Sequence, residues 1–397
     1  MGSVFNWIRH LAPAGFVLKA IVGSVTGIVL LLVFVLGRRT YRQRYFRRRD
    51  ARTFAIRNQW DDILKGAVPA GTWWFDAMDR AIVKAILLDS VEVAPPDGIP
   101  RLLAILRSSG LLDMSIYEVR ASRGWRRQRA LVSLGQMRAP EGIPALAEAL
   151  DDPNPETRAA AVRGLGLTRL PEAAPHILER VMADTLRVPA RVVQAALVNC
   201  CQSQPRLLLP YLHEAEDQAR ALLARVLAEM ATPDMGDDLF ILAGDPQAEV
   251  RASTARALGA AQPSLALPTL SALASDSEWF VRLRGVAALG ELEDPRAIPA
   301  LVRALCDANR YVRLRSAASL GRLDACLEGI LEQVVETRDP FALQAMISEL
   351  ERSGQLQKLA GALTDPVLVD ALRAGLRQLR GAATRASQSQ PEKVTGR

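Results

Sequence analysis

Apolar and polar positions are arranged in two ways along this chain. From Gly15 to Gly37 the order is GFVLKAIVGSVTGIVLLLVFVLG, an apolar run with one charge, Lys19. At about 1.5 Å rise per residue, such a run crosses the roughly 30 Å hydrocarbon layer of a bilayer. A cleaved signal peptide is the competing reading. Signal peptides carry their charge before a shorter apolar run and end in a small-residue site. Here the heavier charge follows the run, so a retained single-pass helix over residues 15–37 is expected, after a short segment 1–14. Further along, apolar residues fall at helical spacing in short segments, and the segments recur.

The recurrence is regular. VRASTARALG starts at Val250, VRLRGVAALG at Val281 and VRLRSAASLG at Val312. At the same step lie Arg127, Arg158, Arg220, Arg251, Arg282 and Arg313, with Pro189 interrupting the series. Gly135, Gly166, Gly259, Gly290 and Gly321 form a second column, with Leu197 and Ala228 filling its gaps. Asp152, Glu214, Asp245, Asp276 and Asp307 form a third. Three columns at one period of about 31 residues define an internal repeat.

Each unit reads as two short helices. The first is rich in Ala and Leu, and a turn such as EDPRA follows it. The second opens with proline in its first turn, as at Ile143, Leu267 and Ile298, where the missing N–H costs nothing. An acidic residue, often before proline, closes the unit. No stretch is rich in β-formers. The fold class expected is all-α: an α-solenoid of about eight 31-residue two-helix repeats, preceded by one transmembrane helix.

The VR pairs, the LG pairs and the IPAL-type second helices resemble the HEAT repeats, in the short bacterial form also seen in HEAT-like bilin lyases. The resemblance covers roughly residues 126–370. Units around 189–249 and from Phe341 onwards depart most from the pattern. The ladder residues Arg127, Arg158, Arg220, Arg251, Arg282 and Arg313 with Asp152, Asp245, Asp276 and Asp307 read as scaffold. An Asp near the end of one unit is expected beside the Arg that opens the next. The Gly column is expected either to let helices pack closely or to end the first helix.

Residues 38–60 form a basic juxtamembrane segment, 61–125 a helical cap region and 126–380 the solenoid. Within the cap, Thr72 to Asp89 places apolar residues 74, 78, 81, 82, 85 and 86 on one helical face. Trp73, Trp74 and Phe75 at its start fit either the membrane interface or the core of the cap. Residues 381–397 are polar and lack periodicity, as expected of a disordered tail.

Charge then fixes orientation. The chain carries +7 overall. Arg38, Arg39, Arg42, Arg44, Arg47, Arg48, Arg49 and Arg52, with Asp50 alone opposing them, account for the whole excess and leave the remainder neutral. The side richer in Lys and Arg stays cytoplasmic, so the expected topology is N-terminus outside and solenoid inside, at the cytoplasmic (inner) membrane. The same arginines suit anionic lipid headgroups, and they also suit a plain stop-transfer signal; the two roles are compatible. Gly23 and Gly27 share one helix face, a spacing that lets membrane helices approach closely.

Chemistry is sparse. His10, His176 and His213 form no metal motif, and Cys200, Cys201, Cys306 and Cys326 have neither metal nor disulfide-framework spacing. Phosphate-loop, dinucleotide and nucleophile-elbow signatures are missing, so no catalytic residue, cofactor or metal is expected. The function expected is a membrane-anchored scaffold that binds a partner protein on its solenoid, for example within a polysaccharide synthase, transporter or secretion assembly. The resemblance also implies alternatives, a bilin-lyase-like enzyme or a DNA glycosylase, for which no residue here speaks. A nucleic-acid-binding groove needs clustered positive charge, which the neutral remainder lacks.

Overall fold

The computed structural model describes residues 2–65, 77–262, 265–323 and 326–388. Every regular element among them is helical. The chain divides into two compact units, Met1–Ser115 and Ile116–Arg397.

The first unit begins with α1 (Gly2–Asn58), 57 residues without a break, followed by α2 (Trp60–Leu64), α3 (Ala77–Val93), α4 (Ile99–Ser108) and the start of α5 (Leu111–Ala121). The apolar run and the arginine run are therefore one helix. From Ile21 to Leu36 the large apolar side chains of α1 are 49–65 % exposed, because none of the described residues packs on them. Further down, Ile56 is buried, and α1 packs against α3.

The buried face of α3 differs from the expected one by about one position. Ile82 and Ile86 point inward as expected, but Ala81 and Ala85 face solvent, while Val83, Leu87 and Val91 are buried. Turning the helix this way removes larger aliphatic groups from water than two alanine methyls would. The Trp73, Trp74 and Phe75 cluster lies outside the described residues.

Among the described residues, the second unit is a stack of eight helix pairs. They are α6 (Gly124–Gln136) with α7 (Ile143–Glu148), α8 (Pro155–Thr168) with α9 (Ala174–Met182), and α10 (Ala190–Cys201) with α11 (Leu208–Glu214). Next come α12 (Asp217–Met230) with α13 (Gly236–Leu242), and α14 (Ala248–Ala261) with α15 (Ala266–Leu273). The last three are α16 (Trp279–Leu292) with α17 (Ile298–Leu305), α18 (Arg310–Leu320) with α19 (Leu327–Glu336), and α20 (Pro340–Arg352) with α21 (Gln355–Ala362). A final helix, α22 (Pro366–Gln388), packs on α20 and runs several residues into the segment expected to be a disordered tail. In five pairs a single 3-10 turn opened by proline (Pro140, Pro171, Pro205, Pro233, Pro295) leads into the second helix.

Four of the first helices, α6, α8, α14 and α16, pack on the next through the glycine column. A Cβ on Gly135 would lie 2.1 Å from the Gly164 carbonyl oxygen, and one on Gly166 would lie 2.6 Å from the Ala196 Cα. On Gly259 it would meet the Ala288 Cβ at 2.8 Å, and on Gly290 the Ser319 Oγ at 2.3 Å. No side chain fits at such distances, so the glycines serve close helix packing. Gly321 alone ends its helix, as the C-cap of α18; the other four lie within theirs. In those four the task falls three residues later to Arg138, Arg169, Gln262 and Glu293, all with φ between 50° and 54° except Gln262 at 46°. The left-handed cap conformation is thus carried by non-glycine residues, at a modest backbone cost.

Candidate interaction surfaces

The arginine and aspartate columns meet at one edge of the stack, where the first helices begin. Arg127 donates from Nη1 to Asp152 at 2.5 Å, and Arg220 from Nε to Asp245 at 2.9 Å. Arg251 reaches Asp276 through Nε and Nη2 at 2.7 and 2.8 Å, and Arg282 reaches Asp307 at 2.6 and 3.0 Å. All four pairs join residues 25 apart, so each carboxylate binds the arginine that opens its own unit. The next unit's arginine meets the backbone of the same aspartate instead. Arg158, Arg251, Arg282 and Arg313 donate from Nη1 to the carbonyls of Asp152, Asp245, Asp276 and Asp307 at 2.7–2.9 Å.

The expected neighbourhood is there, but the carboxylate pairs within a unit and only the main chain pairs across units. In each case the carboxylate Oδ1 accepts the N–H two residues on, that of Asn154, Gln247, Glu278 or Asn309; at Asp276 and Asp307 it also accepts from the arginine Nη2. The carboxylates are thereby fully engaged at little exposure, while the buried Arg127 Nε has no partner among the described residues. The Arg251 hydrogen bond holds the Asp276 carboxyl below its ordinary range and raises Arg251 in turn. Such charge-assisted bonds are stronger than neutral ones.

The ladder fails in the middle. Ala183 stands where Arg158 would find its aspartate, and Arg158 Nε donates to the Leu186 carbonyl at 3.0 Å instead. Pro189 stands where an arginine would meet Glu214. Helix α10 starts only at Ala190, and Asp184 and Arg187 adopt positive φ of 50° and 44°. The chain that would have formed the first turn of α10 is not helical, and a groove of about 1000 Å³ opens beside it. Val181, Leu186, Val193 and Leu222 supply apolar wall; Glu214 and Arg225 supply charge of both signs.

In the first unit, Arg38, Arg39, Arg42, Arg44, Arg47, Arg48 and Arg49 are all exposed along α1, directly after the apolar stretch. Arg52 departs from the expectation of a lipid-facing group. Its Nε and Nη2 bind both carboxylate oxygens of Asp79 at 3.0 and 2.5 Å, and Asp79 is only 2 % exposed. This pair ties α1 to α3, because a buried carboxylate left alone would cost several kcal/mol. Positions Gly23 and Gly27 are open, with nothing within 4 Å of an added Cβ.

Elsewhere the chemistry is quiet. Burial pushes the Cys200 and Cys201 thiols up to about 12, which keeps both unreactive at neutral pH. Cys306 is exposed. Among the described residues no group of three or more His, Cys, Asp or Glu is placed to hold a metal ion.

Sequence reasoning passed over an aromatic strip. Trp279, Tyr311 and Phe341, at or next to the first residues of α16, α18 and α20, are 42, 59 and 59 % exposed. Trp279 and Phe341 lie two repeat periods apart and Tyr311 one residue past the step between them, a recurrence legible in the sequence.

The family model for HEAT repeats matches residues 118–198, 205–284 and 267–329, together just over half of the chain. No curated protein shows significant sequence similarity. Among solved structures, an engineered protein is 17 % identical, covering 77 % of this chain and 97 % of its own, with a TM-score of 0.35. Human deoxyhypusine hydroxylase in complex with glycerol is 20 % identical over 63 % of this chain and 98 % of its own, with a TM-score of 0.25. The CpcE–CpcF complex of phycocyanin lyase from Nostoc sp. PCC7120 is 17 % identical over 67 % and 94 %, with a TM-score of 0.23. Superpositions this loose carry no statement about chemistry.

Proposed function

This chain belongs to the HEAT-repeat family, and from that premise we propose that it is a membrane-anchored scaffold whose solenoid holds a partner protein at the inner face of the cytoplasmic membrane. The observation that carries the reading is α1. One continuous helix presents an uncovered apolar stretch, then seven exposed arginines, then a buried contact with the rest of its unit. An apolar surface of that extent is stable in lipid and not in water. The arginines hold the following residues on the cytoplasmic side and meet anionic headgroups.

The repeats supply a long surface in which each unit contacts only its neighbours, a form suited to binding extended partners. Tethering raises the local concentration of any partner that shares the membrane without a new contact. The partner proposed is a membrane complex, such as a polysaccharide synthase, a transporter or a secretion assembly, with Gly23 and Gly27 as the face for a second membrane helix. The reading assigns binding to this chain, and no catalytic step.

Mild-detergent isolation of the full-length protein from its own cells, with co-purified proteins identified by mass spectrometry, tests the proposal. A membrane protein recovered in stoichiometric amount supports it, and its loss with Gly23→Leu plus Gly27→Leu assigns recognition to that helix face. Recovery of no protein at all sinks the scaffold reading. Protease added to intact spheroplasts should leave the solenoid uncut; digestion from outside reverses the topology.

A further inference from the structure

The C-terminal end of the charge ladder is incomplete in a way that points to a ligand. In four units the column arginine binds a carboxylate 25 residues later, through its Nε/Nη2 edge at Arg220, Arg251 and Arg282 and through Nη1 at Arg127. Arg313 keeps the other half of the pattern, donating from Nη1 to the carbonyls of Asp307 and Ala308 at 2.7 and 3.0 Å, so its guanidinium stands in the usual place. The residue 25 positions on, however, is Arg338, with φ of 54°. The nearby acids bond other groups, and the Asp307 carboxylate acts on Arg313 only through its field. Asp307 binds Arg282, and Asp339 caps α20 by accepting from the N–H of Phe341 and Ala342. At Arg158, which also lacks its aspartate, the Leu186 carbonyl fills the place. At Arg313 the protein offers the face of Phe341 instead, 5.3 Å from the guanidinium carbon.

Around this arginine lies the aromatic strip. The Trp279 and Tyr311 rings stand 6.3 Å apart, Arg310 lies over Tyr311 at 5.9 Å, and Leu314 is exposed beside them. Three successive first helices thus present aromatic faces and cations on one edge. Trp, Tyr and Arg are the residues most enriched at binding hot spots, and stacked guanidinium groups are already ordered for a carboxylate.

We propose that this strip, from Trp279 to Phe341, docks an acidic segment of the partner protein, with one carboxylate taking beside Arg313 the place that an aspartate fills in the regular units. The inference rests on the scaffold reading and names the partner's chemistry. A nucleic acid is the poorer match, because the column arginines that would extend the track are paired with aspartates of their own.

The test uses the full-length protein in phosphatidylcholine nanodiscs and a labelled synthetic peptide alternating glutamate with phenylalanine, read by fluorescence anisotropy against empty nanodiscs. The glutamate peptide should bind, and its glutamine counterpart should bind about tenfold more weakly, as the loss of a charge-assisted hydrogen bond requires. Arg310→Glu and Tyr311→Ala, both on the surface, should each lower affinity by about tenfold. Arg313→Gln should abolish binding, but it also supports two backbone carbonyls, so the surface variants carry the decision. Equal binding of both peptides, unchanged affinity in both surface variants, or displacement of the peptide by a single-stranded oligonucleotide overturns the proposal. If the peptide fails while a membrane partner is still recovered from cells, only this docking surface is wrong; if both fail, the scaffold reading falls with it.

Discussion

The regular units from Arg220 to Asp307 and the stretch from Ala183 to Glu214 share one apolar plan and differ in their charges. In both, successive first helices approach through small residues; the Gly166 contact with Ala196 serves the irregular stretch as the Gly259 contact with Ala288 serves the regular one. In the regular units a buried ion pair, two backbone carbonyls and an amide close each turn. In the irregular stretch proline and alanine replace the charges, the first turn of α10 opens, and a groove appears. Stacking therefore sets the period, while the charges only fix the edge, and the edge is where the protein can vary without losing its stack.

Four tests break or sharpen that comparison. The largest effect belongs to the stacking column. Gly135→Ala forces a methyl into the Gly164 carbonyl and should cost about 3 kcal/mol. Gly23→Ala, with open space around it, should leave stability unchanged; urea midpoints followed by circular dichroism separate the two.

The ladder comes next. Asp276→Ala strands a largely buried Arg251 and should cost about 2–3 kcal/mol, whereas Glu214→Ala, exposed and without an arginine at 189, should change stability by less than about 0.5 kcal/mol. Equal costs would mean that the ladder contributes nothing special.

Acid should act in the same direction. Because Arg251 lowers the folded-state Asp276 carboxyl, its contribution is whole above the unfolded value of about 3.9 and is lost as pH falls through the lower folded value. The wild type should lose stability below about pH 4, and Asp276→Ala should show a flatter profile there. The smallest effect is a gain. Pro189→Arg offers Glu214 its missing partner and should add at most about 1 kcal/mol while narrowing the groove.

Much of this architecture is written in the sequence because a stacked repeat obeys one rule many times. The columns at Arg251, Gly259 and Asp276 recur often enough to announce themselves, and so do the paired helices. Two separations, 25 and 6 residues, both recur with the period, so the sequence alone did not say which one joins the carboxylate to its arginine. Single events are harder to see. Arg52 reads as one more basic residue in a run, yet the turn of α1 places it on Asp79. On α3 the periodicity allowed two adjacent faces, and the larger side chains decided between them. The aromatic strip was hidden because aromatic residues in a repeat read first as core.

Helix α1 continues unbroken well past its apolar stretch, to Asn58. From Gly37 onward it adds about 30 Å of rigid rod, since each residue advances 1.5 Å. With the apolar stretch in a bilayer, that rod acts as a ruler. Whatever meets its far end does so at a set working height above the headgroups, and shortening or lengthening it by whole turns would change that height in steps of about 5 Å.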